Sequence, residues 1–162
     1  MDEVDDEWSE ASVDQSGVCT WSRCDGPVLW GSMAEVASQY WNDSDYRRAK
    51  GVYGPAQEFV ASLTRSGSPA AIDAIQALVD AAITDAELEF VGAGPLEDLV
   101  SHSGHASKFV DDVERRARQQ PRFRQAVASM WLGAKVPEHV RARLAAFGAA
   151  PLGPESKPKR RK

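Results

Sequence analysis

V-G-A-G-P-L-E-D-L-V, residues Val91–Val100, decides how this chain is read. Gly92 and Gly94 interrupt an Ala-rich, helix-favouring context, and Pro95 follows. Proline suits the first position of a helix, where its fixed φ is helical and its missing N–H is not needed. Leu96, Leu99 and Val100 then recur at helical spacing. Glu97 and Asp98 fall in the first turn, where the partial positive charge of a helix N-terminus favours carboxylates. The expectation is a glycine loop over Gly92–Gly94 that launches a helix at Pro95.

Toward the C-terminus, Gly104 ends that helix. The next runs from about Ala106 to Gln119, with Phe109, Val110, Val113 and Ala117 inward. Its outer face is Asp111, Asp112, Glu114, Arg115, Arg116 and Arg118, read as solvated. Pro121 opens a helix carrying Phe123, Val127, Met130 and Trp131. Pro137 opens the last, with Val140, Leu144 and Phe147, and Gly148 stops it.

Toward the N-terminus, Ser68-Pro69 reads as a cap and first turn. The stripe Ile72, Ile75, Leu78, Val79, Ala82, Ile83 behind it is the strongest amphipathic pattern in the chain. Pro55 opens an earlier helix with Phe59, Val60 and Leu63, broken by Ser66-Gly67-Ser68. Ser32 and Glu35 have capping-box spacing before Met33, Val36, Ala37, Tyr40 and Trp41. The polar stretch Asn42–Gly54 reads as a loop with at most a short turn. Strand signals are sparse: only Gly17–Leu29, with Val18, Trp21, Val28 and Leu29, offers one, at poor spacing. The fold class expected is all-α, a compact bundle of about six helices or a stack of helical hairpins, with an irregular N-terminal segment. Ile75, Leu78, Val79, Leu96, Leu99, Phe109, Val113, Phe123, Val127 and Trp131 are expected to share one core.

Length and charge set the organisation. The chain has 162 residues, 43% hydrophobic and 27% charged, with a net charge of -5, suiting one globular domain plus tails. Residues 1–16 are an acidic tail, 17–148 one helical domain and 149–162 a basic tail, both tails being expected to be disordered for want of apolar periodicity. No apolar run reaches the roughly 20 residues of a membrane span. The acidic start is the opposite of a secretory signal, so a cytoplasmic protein with reduced Cys19 and Cys24 and no membrane association is expected.

Three blocks carry a resemblance: G-A-G-P-L-E-D-L-V at Gly92–Val100, K-F-V-D-D-V-E-R-R-A at Lys108–Ala117 and P-R-F-R-Q-A-V-A-S-M-W at Pro121–Trp131. Together they resemble a functionally uncharacterised family of small bacterial helical proteins, over at most Trp41–Phe147. The resemblance implies a helical fold and a bacterial or phage source. It implies no catalytic residues.

The candidate chemistry is thin. Cys19, Cys24, His102 and His105 are four ligand types, but the cysteines stand wider apart than a Cys-x-x-Cys knuckle and the histidines flank Gly104. No metal and no cofactor are expected. Asp98 and His102, at i and i+4, share a helix face and read as an exposed pair rather than an acid–base site. The Gly92–Gly94 loop lacks the lysine and hydroxyl of a P-loop, and Glu97 and Asp98 would repel a phosphate. No catalytic residue is assigned.

What remains is surface. Met1–Ser16 holds acids and no Lys or Arg. Trp21 and Trp30 are expected to pack, and Trp41 and Trp131 to lie in the core. Elimination and charge point to a non-enzymatic protein-binding module, immunity or antitoxin-like, that captures a basic partner. The residues expected to carry it are Trp8, Asp5, Asp6, Glu7, Glu97 and Asp98. The alternatives are a small enzyme with a carboxylate/His site and weak nucleic-acid contact through Lys157, Lys159, Arg160, Arg161 and Lys162.

Overall fold

A computed structural model describes residues 9–50, 54–102 and 104–151, with side chains for 9–42, 54–102 and 104–151. Its N-terminal third is not irregular. It is an antiparallel meander of β1 (Glu10–Val13), β2 (Cys19–Ser22) and β3 (Val28–Trp30), with Ala11 opposite Trp21 and Cys19 opposite Trp30. Strands of this length hold too few alternations to stand out from loop sequence. Cys19, Trp21 and Trp30 turn inward and are buried, so both tryptophans pack as expected. The β1–β2 turn is held by the Asp14 carboxylate, which accepts from Ser16 N (2.8 Å), Ser16 Oγ (2.7 Å) and Val18 N (3.0 Å). β1 lies inside the stretch read as an acidic tail.

Seven α-helices follow among the described residues: α1 (Met33–Lys50), α2 (Pro55–Ser66), α3 (Ala71–Ala81), α4 (Asp85–Val91), α5 (Ala106–Gln119), α6 (Pro121–Ala128) and α7 (Glu138–Ala145). A parallel pair, β4 (Trp131–Leu132) and β5 (Ala150–Pro151), ties the end of α6 to the chain beyond α7. β5 lies inside the stretch read as a basic tail. The protein is therefore mainly helical rather than all-α, with strands at both ends of the described chain.

Most local signals act where the residues put them. The Ser32 hydroxyl accepts from Glu35 N (3.3 Å), and the Glu35 carboxylate reaches back to Gly31 N (2.8 Å). Gly67 ends α2 at φ 63°, in the left-handed region glycine adopts freely. Gln120 is extended, the conformation a side chain before proline favours, so α5 and α6 meet at a corner. Ser68 caps a turn, its hydroxyl accepting from Ala70 N (3.2 Å), and α3 starts two residues later than its proline suggested.

Three expectations are corrected. The polar stretch after Trp41 is not a loop: α1 runs on to Lys50. Ile83 leaves the α3 stripe because the helix stops at Ala81, and it is 88% exposed. The largest correction concerns the opening motif. Gly92–Gly94 is no loop and Pro95 starts no helix. α4, capped by Thr84 and Glu87 in a reciprocal box, passes into π-helical turns over Gly92–Leu96 and Asp98–His102. A proline inside an α-helix lacks the i→i−4 donor and its ring strikes the preceding carbonyl. A wider turn relieves that clash, and here Glu97 N bonds the Gly92 carbonyl, five residues back. Leu88, Val91, Leu96, Leu99 and Val100 are all buried along this one rod. Their burial offsets the roughly 1 kcal/mol that each helical glycine costs.

One core joins these elements, from Trp21 and Trp30 of the sheet through Phe59, Ile75 and Phe123 to Leu144. The Trp30 ring lies 5.2 Å from that of Phe59 and donates its N–H to Gln39 Oε1 (3.1 Å). Of the expected core, Ile75, Leu78, Val79, Leu96, Leu99, Phe109, Val113, Phe123 and Val127 are buried. Trp131 is not: α6 ends at Ala128, and β4 turns the indole outward, 48% exposed.

Candidate functional site

A cleft of about 210 Å³ opens between α1, α2 and the rod that runs from Asp85 to His102. α2 supplies Glu58, Ala61 and Arg65, one face of the helix at i, i+3 and i+7. Glu58 and Arg65 are therefore about 10 Å apart along the axis. Neither has an ion-pair partner among the described residues. The rod supplies Phe90, Gly94, Pro95 and Asp98, and α1 closes one side with Tyr40. An aromatic wall stands there: the Trp41 ring packs 5.4 Å from Tyr40 and 6.2 Å from Phe90. The widened turn at Pro95 thus lines the cleft, and Gly94 leaves its wall open, since a β-carbon there would meet nothing within 4 Å.

The neighbouring carboxylates Glu97 and Asp98 do different work. Asp98 faces the cleft, and its Oδ1 lies 3.1 Å from His102 Nδ1, the expected i, i+4 pair, with both side chains more than half exposed. Glu97 turns to β4 and accepts from Trp131 N (3.0 Å). The Ser101 hydroxyl donates to Trp131 O (3.0 Å) and accepts from Gly133 N (3.3 Å). Trp131 is thus an exposed indole on a backbone held at both its N–H and its C=O.

Asp5, Asp6, Glu7 and Trp8 lie outside the described residues, as do Lys157, Lys159, Arg160, Arg161 and Lys162. Sequence reasoning missed Glu58, Arg65 and Phe90. The i, i+7 spacing on the polar side of α2 was a signal for the first two, and Phe90 had none. It also misplaced Glu114 on a solvated face. That residue is 8% exposed and pairs with both Arg118 and Arg143. The hydrogen bonds that Arg143 donates to Asp111 and then to Glu114 hold its guanidinium protonated beyond its ordinary range. Arg116 likewise leaves the solvated face to reach Asp73 (2.7 Å) and Gln76 (3.0 Å).

The four sulfur and imidazole candidates do not converge on one point. Cys19 is buried in β2, where burial, and then the charges of Asp14 and Glu35, push its thiol pKa up. Cys24 is exposed in the β2–β3 turn. His102 is with Asp98, and His105 packs against Gly67. Among the described residues no group of three or more His, Cys, Asp or Glu side chains is placed to hold a metal. No described helix is long and apolar enough to cross a membrane.

The profile of one family of unknown function, DUF6869, matches residues 48–151. Every cleft residue named above except Tyr40 and Trp41 falls within that match. No curated protein matches the chain. No solved structure matches it.

Proposed function

The chain belongs to the DUF6869 family of unknown function, and from that premise we propose that it is a non-enzymatic module that captures a basic protein partner, in the manner of a small immunity or antitoxin protein. The observation that carries this reading is Trp131. Its indole is 48% exposed, while Glu97 and Ser101 fix its backbone. Tryptophan is prominent among binding hot spots, and an anchor already held in place loses little freedom on binding. Glu97 puts negative charge beside it and Asp98 adds to the field from the cleft side, which attracts a basic surface and raises the association rate. Trp131 joins Trp8, which lies outside the described residues, as a proposed anchor.

Two features favour binding over catalysis. The cleft is smaller than the roughly 300–1,000 Å³ of sites for drug-sized ligands or cofactors. Its walls as named carry no thiol or imidazole to act as nucleophile or neutral-pH base, and His102 pairs with Asp98 out in solvent. Capture of this kind fits a bacterial setting, the one the family resemblance suggested.

The test is to recover a partner from the native host and follow binding by surface plasmon resonance across a salt series. Support requires a basic partner, slower association for the Glu97→Gln/Asp98→Asn double variant at low salt, and faster dissociation for Trp131→Ala. A partner indifferent to salt and to all three residues overturns the reading. A turnover abolished by Asp98→Asn or His102→Ala in folded protein replaces it with the enzyme reading.

A further inference from the structure

The cleft carries charges of both signs. Its named charges are Glu58 and Asp98, both acidic, and Arg65, basic. Glu58 and Arg65 point from one face of α2 about 10 Å apart, and neither is neutralised by a described neighbour. Oppositely charged groups that share a cleft without pairing to each other leave one position for an anion and one for a cation. Ala61 lies between them on α2, and Val60, Phe90 and Pro95 add apolar lining to the same cleft.

We infer that the cleft binds one arginine unit with a free carboxylate: guanidinium toward Glu58 and Asp98, methylene stem along the Phe90 and Pro95 lining, carboxylate on Arg65. Several properties select this class. A purely cationic ligand would leave Arg65 opposed, and a purely anionic one would face two carboxylates. The volume of about 210 Å³ suits one amino-acid-sized ligand rather than a nucleotide. A guanidinium is flat, stacks on an aromatic ring and meets a carboxylate through paired donors, which an ammonium does not. Phe90 is 41% exposed and available for that stacking. The same chemistry is offered by free L-arginine and by a peptide chain that ends in arginine.

Isothermal titration of the full chain separates these cases. L-arginine should bind with a Kd at or below about 1 mM, and agmatine, which lacks the carboxylate, about tenfold more weakly. In Arg65→Gln the difference between the two should vanish. In Glu58→Gln both should weaken. Gly-Gly-Arg with a free carboxylate binding as well as L-arginine, and its amide failing, assigns the site to a chain terminus. Binding of L-arginine alone assigns it to the free amino acid. The inference is overturned if neither L-arginine nor the tripeptide binds at millimolar concentration, if agmatine equals L-arginine on the unaltered protein, or if Arg65→Gln keeps the preference. No protein partner enters these titrations, so their outcome is independent of the capture role proposed for the Trp131 face.

Discussion

Gly92 lies so close to Ala126 of α6 that a β-carbon at position 92 would stand 2.0 Å from the Ala126 carbonyl oxygen and 2.8 Å from Ser129 Cβ. The glycine is a contact point between the rod and α6. Gly94, two residues on, faces open space.

The two glycines should therefore respond to different degrees. Gly92→Ala forces the helices apart and should destabilise the fold by about 1–3 kcal/mol or more. Gly94→Ala reaches open space and meets only the crowding of the following Pro95 ring in a helical conformation, offset in part by reduced backbone freedom, and should cost no more than about 1 kcal/mol. Urea unfolding of both proteins checks this, and equal losses would contradict the crossing.

Phe123 and Trp131 were expected in the same core and are not. Phe123→Ala should cost about 3–5 kcal/mol, as a fully buried ring does. Trp131→Ala, at a half-exposed site, should cost no more than about 1 kcal/mol. Thermal midpoints measured side by side decide between the buried and the outward-facing indole.

Glu114 couples α5 to α7 through Arg143. Its side chain is only 11% exposed, so Glu114→Gln leaves arginine charge poorly matched and should cost about 1–3 kcal/mol. Glu138, 81% exposed in its pair with Arg141, is a control. Glu138→Gln should change stability by no more than about 0.5 kcal/mol, and less at high salt.

Hydrogen bonds from Ser16 above all, and then from Val18, lower the pKa of Asp14. A carboxylate whose folded pKa is depressed stabilises the fold above its unfolded pKa, and the contribution is lost as pH falls through the folded value. Asp14→Ala should therefore lower the thermal midpoint at pH 7, and the gap to the unaltered protein should close below about pH 4. A gap that persists at pH 2 would place the effect in packing rather than in the charge.

A raised pKa and burial protect Cys19, and exposure leaves Cys24 open. Since the thiolate is the reacting species, a maleimide at pH 7 should modify one thiol promptly in folded protein and two in denaturant. Cys24→Ser should abolish the prompt reaction. Prompt labelling that survives in that variant would place Cys19 at the surface.

Local periodicity determined much of this protein without its structure. The stripes on α2, α3, α5 and α7, the stops at Gly67, Gly104 and Gly148, and the proline starts at Pro55 and Pro121 depend on neighbours within one or two turns, and sequence order alone records those. The Asp98–His102 pair was legible for the same reason. Tertiary packing decided the rest. Three short strands became a sheet because Cys19, Trp21 and Trp30 had a core to cover, which their own residues do not reveal. Gly92–Pro95 reads as a loop by propensity and became π-helical because α6 crosses at Gly92 and the apolar residues on both sides could be buried on one continuous rod. Glu114 left solvent because Arg143, 29 residues away, came to meet it. The cleft joins α1, α2 and the rod, and Glu58, Arg65, Phe90 and Asp98 become neighbours only once those elements pack, because chain folding sets their distances and sequence spacing does not.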